Sequence, residues 1–383
     1  MTYLIFFAIV LTVYISVNYY IFSRGIQALP AETTVRMVFP WLFWILATTY
    51  VAGRFLESVY ISAASDILIW VGSFWLAAMF YFFISMLLID LFRLINHFLP
   101  FFPSLFTANI AKVKIYLFVG VITTVALTIT AGYINTLFPR INTVNIHIAK
   151  EARDMKRLNV VLISDLHLGT IKGNRFLERI VEKIIALDPD IVFLAGDVLD
   201  EDLKPVLRHN LGETLKSLNA PLGVYAIMGN HEHIGGAEPA YQYLKSHGLT
   251  VIRDSVIKVN ESFYIVGRED REKQRFSGKA RKELPILLAG LDANLPLILL
   301  DHQPYYLEKA ASLGVDLQLS GHTHHGQMWP INFITSAIFT ISRGYGMING
   351  MHAYVSSGVG TWGPPVRIGS RPEIVNLNIT FGK

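Results

Sequence analysis

Within the first 140 residues, four of the stretches that contain no Asp, Glu, Lys or Arg stand out: residues 1–23, 37–53, 67–89 and 115–139. A helix needs about 20 apolar residues to cross the hydrocarbon layer, so the first, third and fourth predict transmembrane helices. The second is 17 residues long with Pro40 near its start, and it is expected to span as well. Residues 1–23 lack a basic start, and their apolar run is longer than a secretory signal uses, so this segment is expected to be retained. After residue 157 the pattern changes. Apolar runs at 158–164, 191–195 and 224–228 alternate with helix-period segments at 175–187, 203–218 and 239–247, the order expected of βαβ units. Further on, 256–259 and 263–266 read as a hairpin, and 297–300, 317–319, 353–356 and 374–379 read as strands.

Five of these runs end in a polar ligand residue: VVLIS before Asp165 and His167, VFLAG before Asp197, YAIMG before Asn230 and His231, LILLD before His302, and LQLSG before His322 and His324. Strands buried on both faces place ligand-binding loops just beyond their carboxyl ends, so the five loops can converge. Asp165, Asp197, Asn230, His167, His302, His322 and His324 form an oxygen and imidazole set that suits Mn, Fe or Zn. Seven groups exceed what one tetrahedral ion needs. Two adjacent divalent ions sharing one bridging carboxylate would use them all. Ser164 sits beside Asp165, but no Gly-x-Ser-x-Gly elbow surrounds it, so a serine nucleophile is not expected.

The order Asp-x-His, Gly-Asp, Gly-Asn-His-Glu, His and Gly-His-x-His resembles the calcineurin-like metallophosphoesterases, over roughly residues 158–379. The closing YVSSGVGTWGPPVRIGSRPEI resembles the C-terminal segment of a membrane-associated subgroup. The resemblance implies a four-layer αββα sandwich of α/β class, preceded here by the transmembrane helices. Residues 1–140 would be the membrane domain, 141–157 a linker and 158–383 the catalytic domain. It further implies that Asp165, His167 and His324 hold one ion, that Asn230, His302 and His322 hold the other, and that Asp197 bridges them. His231 would then be free to contact the phosphoryl group or protonate the departing oxygen. A water held between the ions would lose its proton near neutral pH, and the hydroxide would attack phosphorus.

Other acidic and imidazole groups are expected to be structural. Asp200, Glu201 and Asp202 read as a solvated acidic start to the helix at Leu203. His325 stands where the family often has Gly, and solvent or substrate contact is expected of it. His233, His97, His147, His209, His247 and His352 have no ligand partner at a telling spacing.

The chain is 52% hydrophobic and 16% charged. Residues 1–150 hold 8 Lys+Arg and 4 Asp+Glu and the remainder 25 of each, so the catalytic half is formally neutral and no nucleic-acid partner is expected. The loops between spans one and two and between three and four carry Arg24, Arg36, Arg93, Lys112 and Lys114, against Arg54 between two and three. By the positive-inside rule both termini, and the catalytic half, lie outside the cytoplasm of a cell membrane. Arg140, Lys150, Arg153, Lys156 and Arg157 argue the other way, although long domains are exported regardless of such charge.

The function these readings support is a membrane-bound phosphoesterase acting on a phosphorylated small molecule or a lipid-linked ester or pyrophosphate. An anchored nucleotide phosphodiesterase and a non-enzymatic, metal-stabilised membrane scaffold are the alternatives. Residues 328–351 are apolar but too interrupted to span. They either cover the core or dip into the bilayer surface beside the site.

Overall fold

The computed structural model describes residues 2–103, 106 and 108–382; Met1 and Lys383 lie outside them. The chain divides into two compact units, Met1–Tyr133 with Gly363–Pro365, and Ile134–Trp362 with Val366–Lys383.

The first unit is helical. Helices α1 (Thr2–Ala28), α2 (Thr34–Val59), α3 (Ala63–Phe98) and α4 (Ile110–Leu137) are each long and apolar enough to cross a membrane. The second stretch forms a full-length helix with Pro40 inside it, where the proline leaves Arg36 O without the usual bond from residue 40. Between helices the packing is close: a Cβ at Gly72 on α3 would collide with the Tyr50 backbone of α2, so only glycine permits that approach. The buried Trp75 indole donates to Asn18 Oδ1 at 3.0 Å, which satisfies the polar end of both side chains where water is absent.

The second unit contains two six-stranded sheets. The first has the order β1 (Arg140–Ile148), β12 (Glu373–Phe381), β2 (Arg157–Ile163), β3 (Ile191–Ala195), β4 (Val224–Ile227), β5 (Thr250–Val251). The second runs β10 (Gly344–Ile348), β11 (Met351–Val355), β9 (Leu317–Ser320), β8 (Leu297–Leu300), β7 (Phe263–Gly267), β6 (Ser255–Val259). Strands β2 to β5 are mutually parallel, as are β7, β8, β9 and β11.

Alternation along the strands sorts side chains into three cores. Val160, Leu162, Ile191 and Phe193 meet Ile265, Ile298, Leu317 and Leu319 between the sheets. Val161, Ile163, Val192 and Leu194 point the other way, onto α5 (Asn174–Ile185) and α6 (Ala237–Ser246). Val266, Leu297 and Leu299 pack on α7 (Leu307–Ser312) and the short helix Leu284–Leu288. Three cores between four layers give the αββα sandwich.

Two segments depart from the sequence expectation. The stretch read as a linker, 141–157, instead carries most of β1, which pairs in parallel with β12 from Arg140↔Glu373 onward and buries Ile146 and Ile148 between the sheets. Its RINTVNIHI sequence alternates polar residues because it is an edge strand with one wet face. The single helix expected over 203–218 is two short ones, Leu203–Arg208 and Leu211–Leu215, broken at Asn210, which adopts φ 50°.

Candidate metal centre

The ligand-bearing loops leave the carboxyl ends of β2, β3, β4, β8 and β9, and backbone bonds continue past the strands to hold them in register. Asp165 N–H donates to Gly196 O and His167 N–H to Asp197 O, each at 3.0 Å. Gly196 and Gly229 allow this: a Cβ on Gly196 would strike the His302 ring, and one on Gly229 would strike the Asp197 carboxylate.

Two groups of donors result. In one, His167 Nε2 and His324 Nε2 face each other at 3.0 Å, and His324 Nε2 lies 3.4 Å from Asp165 Oδ1. In the other, His302 Nε2 is 3.1 Å from Asp197 Oδ2, and His322 Nδ1 is 2.9 Å from Asn230 Oδ1. The same Asp197 Oδ2 stands 3.9 Å from His167 Nε2, so this carboxylate faces both groups. All seven residues expected as ligands therefore gather in one place. Asp165, His167, Asp197, His302 and His324 are buried. His302 Nε2 is fully buried against Asp197 Oδ2, and its Nδ1 lies 2.7 Å from Ala195 O. A carbonyl partner at Nδ1 fixes the ring and turns Nε2 into the site, the orientation of a ligating histidine.

The electrostatics fit cations as well. Burial, and then the charge of His302, push the His322 imidazole down to about 3. Burial, and then Arg367 and His167, push His324 well below its usual range. Both are neutral near pH 7 and present lone pairs. Burial works to raise Asp197, but His302 and His231 outweigh it and hold this carboxyl well below the carboxylate range. The donor set therefore suits divalent ions: two carboxylates, an amide oxygen and four imidazoles meet, five of them buried and Asn230 and His322 half-buried.

Backbone strain is concentrated here. Asp165, His167, Asp197, His322 and His324 all have φ between 45° and 72°, a region that costs non-glycine residues on the order of 1 kcal/mol or more each. Such strain persists only where surrounding contacts hold it. Glu232 supplies several, accepting from the N–H groups of Gly229 at 2.7 Å, Leu199 at 2.8 Å and Asp197 at 3.1 Å. Arg367 supplies others, donating to Ser357 O at 2.6 Å and Gly360 O at 2.7 Å, with Nη2 2.8 Å from His324 Nδ1. Neither residue is singled out by the sequence reading.

Beside the two groups lies His231. Its Nδ1 is 3.0 Å from Asp200 Oδ1, and its backbone N–H donates to Asp197 Oδ1 at 2.9 Å. Burial pushes this imidazole down, but the carboxylates of Asp197 and Asp200 prevail and raise it to about 10. Asp200 is thus not part of a solvated helix start. Of the acidic trio, Asp202 caps that helix, accepting from Lys204 N–H at 2.9 Å. His325 also differs from expectation: it is buried, with Nδ1 3.0 Å from Ser342 Oγ rather than facing solvent. His233 is buried against Glu269 at 3.0 Å.

Residues 158–326 match the calcineurin-like phosphoesterase family. An uncharacterized metallophosphoesterase of Aquifex aeolicus is 31% identical over 250 residues, which are 65% of this chain and 94% of that protein. The chain belongs to the calcineurin-like phosphoesterases. A transmembrane protein with metallophosphoesterase domain from Danio rerio is 32% identical over 273 residues, 67% of this chain; the chain spans 62% of that protein's length. Among solved structures, a 5'-nucleotidase precursor from Thermus thermophilus aligns at 15% identity with a TM-score of 0.37, over 58% of this chain and 54% of that one. The family assignment rests on the sequence relatives. For a member of this family, the convergence of Asp165, His167, Asp197, Asn230, His302, His322 and His324 marks the candidate centre.

Proposed function

We propose that this calcineurin-like phosphoesterase is an integral-membrane hydrolase of phosphate esters or pyrophosphates, built around two divalent cations. Asp165, His167 and His324 would hold one ion and Asn230, His302 and His322 the other, with Asp197 facing both groups. The observation that carries this reading is Asp197 Oδ2, 3.1 Å from one donor group and 3.9 Å from the other. Bound cations would supply an acidified water and neutralise charge on the phosphoryl oxygens.

The chain's own residues do the rest. Asp200 accepts a hydrogen bond from His231 Nδ1 and so leaves Nε2 to carry the transferable proton. As the ester bond breaks, the electron pair stays on the departing oxygen and the Nε2 proton passes to it. The neighbouring carboxylate of Asp197 favours the protonated imidazole beforehand. The loops bury Asp165, His167, Asp197, His302 and His324, which strengthens the charge interactions among them.

The membrane helices set the location. We place the chain in the cell membrane with the catalytic unit outside the cytoplasm, on the distribution of Arg24, Arg36, Arg93, Lys112 and Lys114 against Arg54. Single cysteines in this thiol-free chain, for instance at the exposed Ser217, test that orientation with an impermeant reagent.

Protein stripped of metal and reconstituted with Mn, Zn, Fe or Mg, then assayed on a monoester, a diester and a lipid pyrophosphate, tests the activity. Metal-dependent turnover of any of the three supports hydrolysis. Metal binding with none would favour the scaffold.

A further inference from the structure

Helix α8 (Ile331–Ile338) is built inside out for a surface in water. Phe333, Ile334 and Ile338 are 63%, 61% and 56% exposed. Two of its three polar residues are half-buried: Thr335 Oγ1 bonds back to Ile331 O at 2.9 Å, and Asn332 Oδ1 is buried, while Ser336 is exposed beside Ser342. A water-facing helix shows the reverse pattern. No Asp, Glu, Lys or Arg occurs between Leu317 and Ser342. The exposed face is extended by two tryptophans. Trp329 precedes the helix, and Trp362 is joined to the same turn by Gln327, whose Nε2 donates to Trp362 O at 3.0 Å.

The last turn of α4, Ile134–Leu137, belongs to the second unit. Asn135, in the final turn of α4, donates to Arg367 O and Ser370 O, both at 2.9 Å. The loop it grips pairs with the Trp329 turn: Trp329 N–H donates to Ile368 O at 2.7 Å, and Ile368 N–H to Gln327 O at 2.9 Å. Strand β1 then starts at Arg140, three residues past the end of α4, a reach of roughly 10 Å. The end of a spanning helix sits at headgroup depth, where Trp is the favoured side chain. On its other side the same segment adjoins the metal-ligand turn, through Thr323 Oγ1 to Ser342 O at 2.6 Å and through Phe339, whose ring centroid is 6.2 Å from that of His322.

We infer that Trp329, Phe333, Ile334, Ile338 and Trp362 form a docking face that seats on the bilayer carrying α1 to α4, so that the His322 turn addresses phosphoesters at headgroup depth. The occupant is lipid: the face is apolar, uncharged and edged by tryptophan, and its backbone is tied to the terminal turn of a span. The lipid-phosphate part rests on the phosphoesterase reading above; the docking part does not.

The test uses the full chain in phosphatidylcholine and phosphatidylglycerol nanodiscs, with nitroxide labels on single cysteines at Phe333→Cys, Ile338→Cys and a control, Ile286→Cys, exposed on the short helix Leu284–Leu288. Docking predicts that labels at 333 and 338 collide with oxygen several-fold more often than with a water-soluble nickel chelate, and that the control shows the opposite preference. Equal access of all three to the chelate would overturn it. So would shielding of 333 and 338 from both reagents, which would mean that protein covers the face. A second arm compares wild type with the triple variant F333S/I334S/I338S on p-nitrophenyl phosphate and on phosphatidic acid in nanodiscs. Loss of about tenfold on the lipid alone supports the proposal, and equal loss on both contradicts it. Lipid-buried labels in a protein that turns over neither ester would leave docking standing and sink the phosphoesterase reading.

Discussion

His231 Nδ1 lies 3.0 Å from Asp200 Oδ1, and this pair forms a third cluster with His167, which it shares with the Asp165 and His324 group. Replacing His231 with Ala is expected to cut turnover by about 10² to 10⁴-fold while leaving metal content intact. Asp200→Asn removes the carboxylate that helps raise His231, so the imidazole loses its proton at lower pH. The alkaline limb of the kcat–pH profile should therefore move to lower pH, with a loss of about 10 to 100-fold at the optimum. A pH–rate profile of wild type and both variants checks this. An unmoved alkaline limb in Asp200→Asn would remove Asp200 from the proton path.

Arg367 is fully buried, and its donors go to His324 and to carbonyls of the C-terminal segment, among them Ser357 O and Gly360 O. It joins that segment to a ligand far away in sequence. Arg367→Lys keeps the charge but cannot reproduce the planar fork. We expect roughly 10 to 100-fold weaker retention of metal at the His324 group, read as metal per chain after dialysis against a graded chelator. Unchanged retention would mean that Arg367 serves only to close the segment.

Glu269 ties the second sheet to the helix that carries His231, through His233 Nε2 at 3.0 Å and Arg253 Nε at 2.6 Å. Burial works to raise its carboxyl, but the bonds from His233 and Arg253, with the charges of Arg253 and Lys273, hold it at about 2. Its folded pKa is therefore below its unfolded one. The associated stability is complete above the ordinary glutamate range and is lost as pH falls toward 2. Glu269→Gln should cost about 3 kcal/mol near pH 7, and the gap between wild type and variant should close on acidification. Thermal melts in detergent between pH 7 and pH 3 would show it; a gap constant with pH would refute it.

What the sequence displays, and what it hides, follows from how local each signal is. Strands β2, β3, β4, β8 and β9 are legible because each is a short run buried on both faces that ends in a ligand. Strand β1 is not, since an edge strand with polar alternation looks like a linker until its partner, β12, arrives from the far end of the chain. Asp200 defeats a local reading because an acid just before a helix has two physical uses; Asp202 takes the capping role and Asp200 turns to His231. Arg367 carries no local signal, as its partner is His324 and its environment exists only once the C-terminal segment has folded back. The break at Asn210 is visible only as an asparagine tolerant of left-handed backbone within an otherwise helical pattern.

Asp197 would bridge a pair of cations. Metal-free protein reconstituted with Mn(II) should bind two ions per chain with an exchange-coupled electron paramagnetic resonance spectrum, and Asp197→Asn should abolish the coupling. One ion per chain, or two that are magnetically independent in the wild type, would contradict it.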